Sequence, residues 1–262
     1  MGFDRADWHA AVADLVATGD GHLTATRLAA LICSTVPNNG TSLLAFHKDA
    51  PPDVLHHTMP PARARHYLDR YLAGPYLLDP LYQLSLRDEK PSMCRFRDAT
   101  PDRFHSSEYY RQYCERTHLA DEMDFLLGVS PNSALVMVVG RTEKRFTRAE
   151  LQRLRLIEPT IRSAMQRVWD GFSGNRSPDE RDNSMHLRLT TCFENFGEKT
   201  LTQREREITQ LLLRGHSSKS IARELGIAPG TVMVHKRNLF AKLGITSQYE
   251  LFSRFIDALS ES

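Results

Sequence analysis

Hydrophobic positions in the first 172 residues follow strand-like spacing in some stretches and helical spacing in others. Strand-like runs occupy 42–47, 54–58, 124–130 and 134–140. The last two flank Pro131-Asn132-Ser133, a turn-forming sequence, which predicts a β-hairpin. Between these runs, helical spacing predicts helices near 62–73, 79–86 and 107–117.

A longer helix is predicted from Thr147 to about residue 172. Thr147-x-x-Glu150 forms a capping box at its start. Its apolar stripe consists of Leu151, Leu154, Ile157, Ile161, Met165 and Val168. A small sheet flanked by helices accommodates this order, so we expect an α/β fold, an α-β-α sandwich of the PAS-like or GAF-like kind.

The chain changes character after residue 172. Residues 173–197 begin with a polar stretch that contains Gly and Pro and lacks apolar periodicity, which predicts a linker. Residues 198–262 are all-α: four helices are predicted, with Thr202 and Ser247 as caps and Gly215 and Gly226 as stops. The second and third helices, joined by a short turn at Gly226, form a helix-turn-helix pattern.

Charge is unevenly divided between these parts. The chain has 34 Lys and Arg against 32 Asp and Glu. From Lys199 onward there are ten Lys and Arg against six Asp and Glu, so this quarter has a net charge of +4 while the rest carries −2. A basic helix-turn-helix region indicates a polyanionic partner such as DNA.

The third helix of this region presents a face suited to DNA. Val232, Leu239 and Leu243 share its inward side, whereas Val234 and Arg237 point the opposite way. Small residues and one arginine allow a close approach to base edges in the major groove. A plain helical bundle with solvent-exposed basic residues is the alternative.

Dispersed residues of the last quarter also match a known pattern: Leu201-Thr-x-Arg-Glu-x-Glu207, Gly215-x-Ser217, Lys219-x-Ile-Ala222, Leu225-Gly-Ile227, Thr231-Val-x-Val-His235 and Lys242-Leu-Gly244. Over roughly 198–260 the chain resembles the LuxR-type DNA-binding domain. The resemblance implies base contacts from Met233, Val234 and Arg237. It implies phosphate contacts from Lys219, Thr231, His235 and Lys242. The third helix opens at Ala228 instead of the family's capping serine, and Met233 replaces a common lysine, which favours apolar contact with a thymine methyl.

The front region contains a second resemblance. Tyr67-Leu-Asp-Arg-Tyr71 followed by Asp79-Pro80-Leu-Tyr82 is similar to the acyl-homoserine-lactone-binding domain of quorum-sensing regulators. That resemblance implies that Asp79 accepts a hydrogen bond from a ligand amide and that Tyr67 and Tyr71 close the pocket. Cys94 stands where the family has a tryptophan, so we expect a reshaped pocket and an effector other than a standard acyl-homoserine lactone, as in LuxR solos. Asp79-Pro80 is equally consistent with an ordinary helix cap.

These patterns predict a transcription regulator with a ligand-sensing domain over 1–172, a linker over 173–197 and a DNA-binding domain over 198–262. Expected partners are double-stranded DNA with a roughly two-fold symmetric operator, a small-molecule effector and a second copy of the chain. The dimer contact is expected from the apolar side of the last helix, at Leu251, Phe255 and Ile256.

The same sequence bears on other classes of function. No cofactor or metal is expected, since the cysteines and histidines lack ligand spacing and no H-E-x-x-H or G-x-S-x-G motif is present. An enzyme built on Cys94 or Cys114, and a front domain that binds a protein instead of a ligand, remain alternatives. No apolar run reaches the roughly 18–20 residues of a membrane span, and the amino terminus does not resemble a signal peptide, so we expect a cytoplasmic protein.

Overall fold

The structure is a computed structural model that describes residues 5–115, 119–173 and 184–261. Its α-helices run over Arg5–Ala17 (α1), Gly21–Thr35 (α2), Pro61–Ala64 (α3), Arg70–Leu72 (α4), Pro80–Ser85 (α5), Phe96–Ala99 (α6), Arg148–Ser173 (α7), Ser184–Asn195 (α8), Gln203–Leu213 (α9), Ser218–Glu224 (α10), Pro229–Leu243 (α11) and Gln248–Glu261 (α12). Its strands run over Gly40–His47 (β1), Asp53–His57 (β2), Met93–Arg95 (β3), Asp121–Ser130 (β4) and Ser133–Arg141 (β5). Single π-helical turns lie at Arg65–Asp69 and Tyr110–Cys114, and 3₁₀ turns at Pro75–Leu78 and Phe104–Ser106. None of the helices in these described ranges has the length and apolar character that crossing a membrane requires.

The described residues form two compact units. The sheet unit takes its residues from Met1–Asp69, Leu84–Ala99 and His118–Asp182. The helical unit takes its residues from Arg70–Gln83, Thr100–Thr117 and Asn183–Ser262. Each unit is therefore made of several separate segments of the chain. Two segments from the front region belong to the same unit as the carboxy-terminal helices.

The sheet unit contains a five-stranded antiparallel sheet in the order β2-β1-β5-β4-β3. β4 and β5 form the predicted hairpin, with Ser130 opposite Ser133 across the Pro131-Asn132 turn. β1 and β5 pair over their full lengths, from Gly40 opposite Gly140 to His47 opposite Ser133. This pairing of distant strands places the hairpin in the middle of the sheet.

Helices α2 and α7 supply the apolar layer on the sheet. The predicted stripe of α7 is buried at Leu154, Ile157, Ile161, Met165 and Val168. It belongs to one hydrophobic core with α2 and with inward residues of the strands. Each fully buried Leu or Ile side chain contributes roughly 1.5–3 kcal/mol to folding. Burial of the apolar stripe therefore explains why α7 packs against the sheet.

The start of α7 is fixed by hydrogen bonds and an ion pair. The hydroxyl of Thr147 accepts from the Glu150 amide, and the Glu150 carboxylate accepts from the Thr147 amide at 2.8 Å, as the capping box predicts. The same carboxylate binds Arg141 of β5 at 2.9 and 3.0 Å. Hydrogen bonding from Arg141 lowers the pKa of Glu150 to about 2. The pair ties the first turn of α7 to the sheet.

The predicted α/β region followed by an all-α helix-turn-helix region is confirmed, but three local predictions differ from the structure. The helix predicted at 62–73 is divided into α3, a π-helical turn and α4. β3 was not foreseen, because its three residues gain their partner only from β4. Within the predicted linker, residues 174–183 lie outside the described residues, whereas Ser184–Asn195 forms α8 and buries His186, Leu189 and Phe193.

Candidate nucleic-acid interface

The interface begins with α9, which supports the helices that follow it. Thr202 and Glu205 form a complete capping box, with the Glu205 carboxylate accepting from the Thr202 amide at 2.8 Å. Ile208 and Leu212 of α9 are buried, together with Ile221 of α10 and Val232 of α11. The three helices pack against one another, and these four buried side chains belong to their shared core.

The two helices of the helix-turn-helix are separated by a short, sharply bent connection. Ser217 caps α10 by accepting from the Ser220 amide at 3.1 Å. Gly226 has φ of +64°, a left-handed conformation that glycine adopts without strain. α11 opens at Ala228 with Pro229 in its first turn, and Ala228 provides no side-chain cap, as the sequence predicts.

The outward face of α11 carries the residues predicted to touch base edges. Met233 is 63% exposed, Val234 is 47% exposed, and Arg237 is also exposed. The opposite face is held by buried Val232 and Leu239. The helix therefore presents an apolar patch beside one guanidinium, which suits contact with thymine methyl groups and a guanine edge.

The residues predicted to touch phosphates surround this face in different environments. Lys219 and Thr231 are exposed and His235 is half-buried. The ammonium of Lys242 lies 2.7 Å from Oε2 of Glu205, whose side chain is buried. Burial raises the pKa of Glu205, but hydrogen bonds from Lys242 and Thr202 outweigh it, so this pKa lies below its ordinary value. Lys242 thus already has an anionic partner within the chain.

The last helix differs from its predicted role. Leu251 and Phe255 of α12 were expected to be exposed for pairing with a second copy, but both are fully buried within this chain. Phe193 of α8 packs edge-on against Phe255, with ring centroids 5.4 Å apart. Ile256 is half-buried. Leu251 and Phe255 are therefore part of the core of this chain and are not exposed for a dimer contact.

A segment far from the helix-turn-helix in sequence also contacts it. The Asp102 carboxylate accepts from the backbone amide of Ser217 at 2.9 Å and from its hydroxyl. The amide of Arg103 donates to the Gly215 carbonyl at 3.1 Å, and buried Phe104 lies against Gly215. Sequence reasoning missed these residues, since no local pattern links positions 115 residues apart.

Two of the predicted ligand residues form a hydrogen-bonded pair in the helical unit, in which Asp79 is buried and Tyr71 is half-buried. The Tyr71 hydroxyl donates to Oδ2 of Asp79 at 2.7 Å, and Oδ1 accepts from the Leu81 amide at 2.8 Å. Asp79 thereby caps α5, which begins at Pro80. Burial raises the pKa of Asp79 to about 6 despite these hydrogen bonds. It also raises the pKa of Tyr71 well above its ordinary value, with the charge of Asp79 adding to the effect.

The other two predicted ligand residues belong to the sheet unit. Tyr67 is half-buried in the π-helical turn Arg65–Asp69. Cys94 is half-buried in β3, opposite Asp124 of β4. Burial, followed by the negative charge of Asp124, raises the pKa of the Cys94 thiol, which disfavours the thiolate that a nucleophile requires.

Comparison with known proteins supports the helix-turn-helix assignment. A family model described as bacterial regulatory proteins, luxR family, matches residues 199–255. An HTH-type transcriptional regulator in the exeN 3′ region of Aeromonas salmonicida is 32% identical over 159 residues, which cover 58% of this chain and 80% of that protein. The transcriptional regulatory protein UhpA of Escherichia coli is 38% identical over 98 residues. Those residues cover 33% of this chain and half of UhpA.

Solved structures share the fold of the front region. The VqsR LBD domain from Pseudomonas aeruginosa is similar with a TM-score of 0.55 and 23% identity, over 63% of this chain and 98% of that one. The N-acylhomoserine-lactone-dependent factor CepR2 from Burkholderia cenocepacia is similar with a TM-score of 0.50 and 9% identity, over 64% of this chain and 96% of that one. At these identities the likeness concerns the fold alone.

Proposed function

This chain belongs to the luxR family of bacterial regulatory proteins, and on that basis we propose that α11 reads an operator while the front region responds to a small molecule. The exposed face of α11 is the observation that supports the first part. It is apolar at Met233 and cationic at Arg237, on a helix whose other face is fixed in the core. In this proposal the output region spans 198–262, the input region spans 1–172, and 173–197 joins them.

Base reading is assigned to Met233, Val234 and Arg237. Arg237 is suited to a bidentate contact with a guanine, and such a contact discriminates against a wrong base by about 1–3 kcal/mol. Lys219, Thr231 and His235 are assigned to phosphates, which hold the helix in register without reading sequence. Lys242 can contact a phosphate only if its ammonium leaves Glu205 or interacts with both anions at once.

Selection of bound sequences from a random DNA pool, followed by titration at several salt concentrations, tests this assignment. We expect a roughly two-fold symmetric site and affinity that falls steeply with salt, because phosphate contacts release counterions. Arg237→Ala should reduce the preference for the selected site, whereas Lys219→Ala should weaken binding to all sequences about equally. Preference left intact by Arg237→Ala would contradict the role of Arg237.

Small-molecule sensing is supported by the Tyr71–Asp79 pair. The buried carboxyl, with a pKa of about 6, and the neighbouring phenol provide a hydrogen-bond acceptor and a donor of the kind that a ligand amide or amine requires. Tyr67 and Cys94 remain sequence predictions for the same effector.

Mass spectrometry of small molecules that co-purify with the full chain tests sensing, with Asp79→Asn and Tyr71→Phe as comparison proteins. A compound bound by the wild type and lost from both variants supports the proposal. A compound retained equally by all three proteins would place its site elsewhere.

One observation favours a regulator without a small-molecule effector. Both carboxylate oxygens of Asp79 already accept hydrogen bonds within the chain, one of them as a helix cap. In that alternative the Tyr71–Asp79 pair is structural and the front region binds a protein partner. Absence of any co-purified compound, together with a protein captured by the full chain, would support it. An enzymatic front domain lacks comparable support, and the relatives found are transcription regulators.

Dimer formation is proposed as well, since a symmetric operator needs a symmetric protein. With α12 covered, α7 becomes the better candidate surface, because Leu156 on this helix is 75% exposed. Sedimentation at micromolar concentration should show a dimer, and Leu156→Asp should shift it toward monomer while the exposed-site control Leu187→Asp should not. The proposed place of action is the cytoplasm, where the operator lies.

A further inference from the structure

Segment 100–106 is held against the helix-turn-helix by its backbone and by one side chain. Asp102 accepts two hydrogen bonds from Ser217, the cap of α10. The next residue, Arg103, donates its amide to the carbonyl of Gly215. Phe104 is completely buried beside Gly215. With anchors on both sides, the backbone position of Arg103 is fixed relative to α10.

The Arg103 side chain is not used by this anchoring. Arg103 is exposed, while the contacts to the helix-turn-helix come from the Asp102 carboxylate and from the backbone of Arg103 and Phe104. A long cationic side chain held at a fixed point on a protein surface is therefore available to a partner.

The positive charge of Arg103 acts on Lys236 of α11, the helix predicted to read bases. Lys236 precedes Arg237 and stands three residues after Met233, so it borders the exposed face of α11. Its ammonium is 5.3 Å from the ring centroid of Phe240. Burial and the positive charge of Arg103 both lower the pKa of Lys236, so the two cations act on each other.

Two neighbouring cations repel each other, and an anion close to both offsets this repulsion. The carboxylate of segment 100–106, Asp102, is engaged with Ser217 at the start of α10. A phosphodiester placed beside α11 would interact favourably with Arg103 and Lys236 together.

We propose that Arg103 is a DNA-backbone contact, supplied to the helix-turn-helix by segment 100–106, which lies far before it in the sequence. The proposal rests on the DNA-binding function given above and extends its interface beyond residues 198–262. Because a phosphate contact reads no sequence, Arg103 contributes equally to operator and non-operator DNA.

The test uses the full chain and a 30-base-pair duplex of random sequence, titrated between about 50 and 300 mM salt. Arg103→Ala should reduce the slope of log affinity against log salt by about 0.9 and weaken binding at 0.1 M salt roughly five- to tenfold. Arg103→Lys should restore most of the slope, since it keeps the charge. Arg111→Ala is the matched control: Arg111 lies just after this segment, in the turn Tyr110–Cys114, is exposed and pairs with Glu108 at 2.6 Å.

The outcomes separate this inference from the wider function. If the wild type binds and Lys219→Ala lowers the slope but Arg103→Ala does not, the Arg103 contact is overturned and DNA binding by the helix-turn-helix stands. Tighter binding by Arg103→Ala would also overturn it and would mean that segment 100–106 shields α11 from DNA. A wild type that binds no duplex would overturn both. Equal thermal midpoints for wild type and Arg103→Ala would exclude loss of folding as the cause of weaker binding.

Discussion

The carboxylate of Asp102 accepts hydrogen bonds from both the amide and the hydroxyl of Ser217, 115 residues further along the chain. Ser217 is itself the cap of α10, so Asp102 adds a second, charged cap to the same helix. The start of the helix-turn-helix is thus stabilised by a residue that lies outside it in sequence.

We expect Asp102→Ala to lower the free energy of unfolding by about 1 kcal/mol at neutral pH, since it removes two hydrogen bonds at an exposed site. Burial raises the pKa of Asp102, but hydrogen bonds from Ser217 outweigh it and the pKa is lowered. This stabilisation is therefore present above about pH 4 and is lost as the pH falls through the lowered pKa. A double-mutant cycle with Ser217→Ala, by urea unfolding, should show coupling at pH 7; additive effects would contradict the contact.

Asp79 should give the opposite pH dependence. Its pKa is about 6 in the folded chain against an ordinary 3.8, so the folded chain binds this proton more tightly. The stability it contributes is greatest below about pH 4 and is lost as the pH rises to about 6, with a total change of about 3 kcal/mol. The difference in unfolding free energy between wild type and Asp79→Asn, measured from pH 4 to 7, should follow this curve. A pH-independent difference would show that Asp79 has an ordinary pKa.

Gly215 should tolerate substitution less well than Gly226. Both have positive φ, +90° and +64°, so alanine is strained at either position by about 1–2 kcal/mol. A Cβ at Gly215 would also lie 3.0 Å from Cα of Phe104, whereas a Cβ at Gly226 meets nothing within 4 Å. Gly215→Ala should therefore lower the thermal midpoint more than Gly226→Ala. Equal shifts would mean that Phe104 does not approach Gly215 in solution.

Helix α8 can be tested through Phe193. This side chain is 4% exposed and contacts both the Phe255 ring and the guanidinium of Arg214, 4.9 Å away. Phe193→Ala should cost about 3–5 kcal/mol, a typical value for a buried phenylalanine. Leu187→Ala on the same helix should cost less than about 0.5 kcal/mol because Leu187 is 66% exposed. A small effect of Phe193→Ala would mean that α8 does not pack on α12 in solution.

Much of the helix-turn-helix was predictable because its information is local. Thr202 and Glu205 cap α9 within one turn, Gly226 forms the turn itself, and Pro229 starts α11. The α7 stripe was predictable for the same reason, since helical periodicity and the Thr147–Glu150 box need no distant partner.

The features that sequence reasoning missed depend on distant partners. β3 is three residues long and exists through its pairing with β4. Asp102 and Arg103 acquire a role only when the chain returns to Gly215 and Ser217. α8 does carry a local signal, since His186, Leu189 and Phe193 recur at helical spacing, but the polar residues before it favour a linker.

The packing of α8 on α12 has a consequence for the smallest piece of this protein that can be moved into another. A fragment that begins at Lys199, where the family match begins, would carry α12 without Phe193 and would leave the ring of Phe255 facing water. Any exchange of DNA-binding modules between relatives, by recombination or in the laboratory, must therefore join the chains before Ser184 to keep α8 packed on α12. The portable module begins about fifteen residues earlier than its recognisable sequence motif.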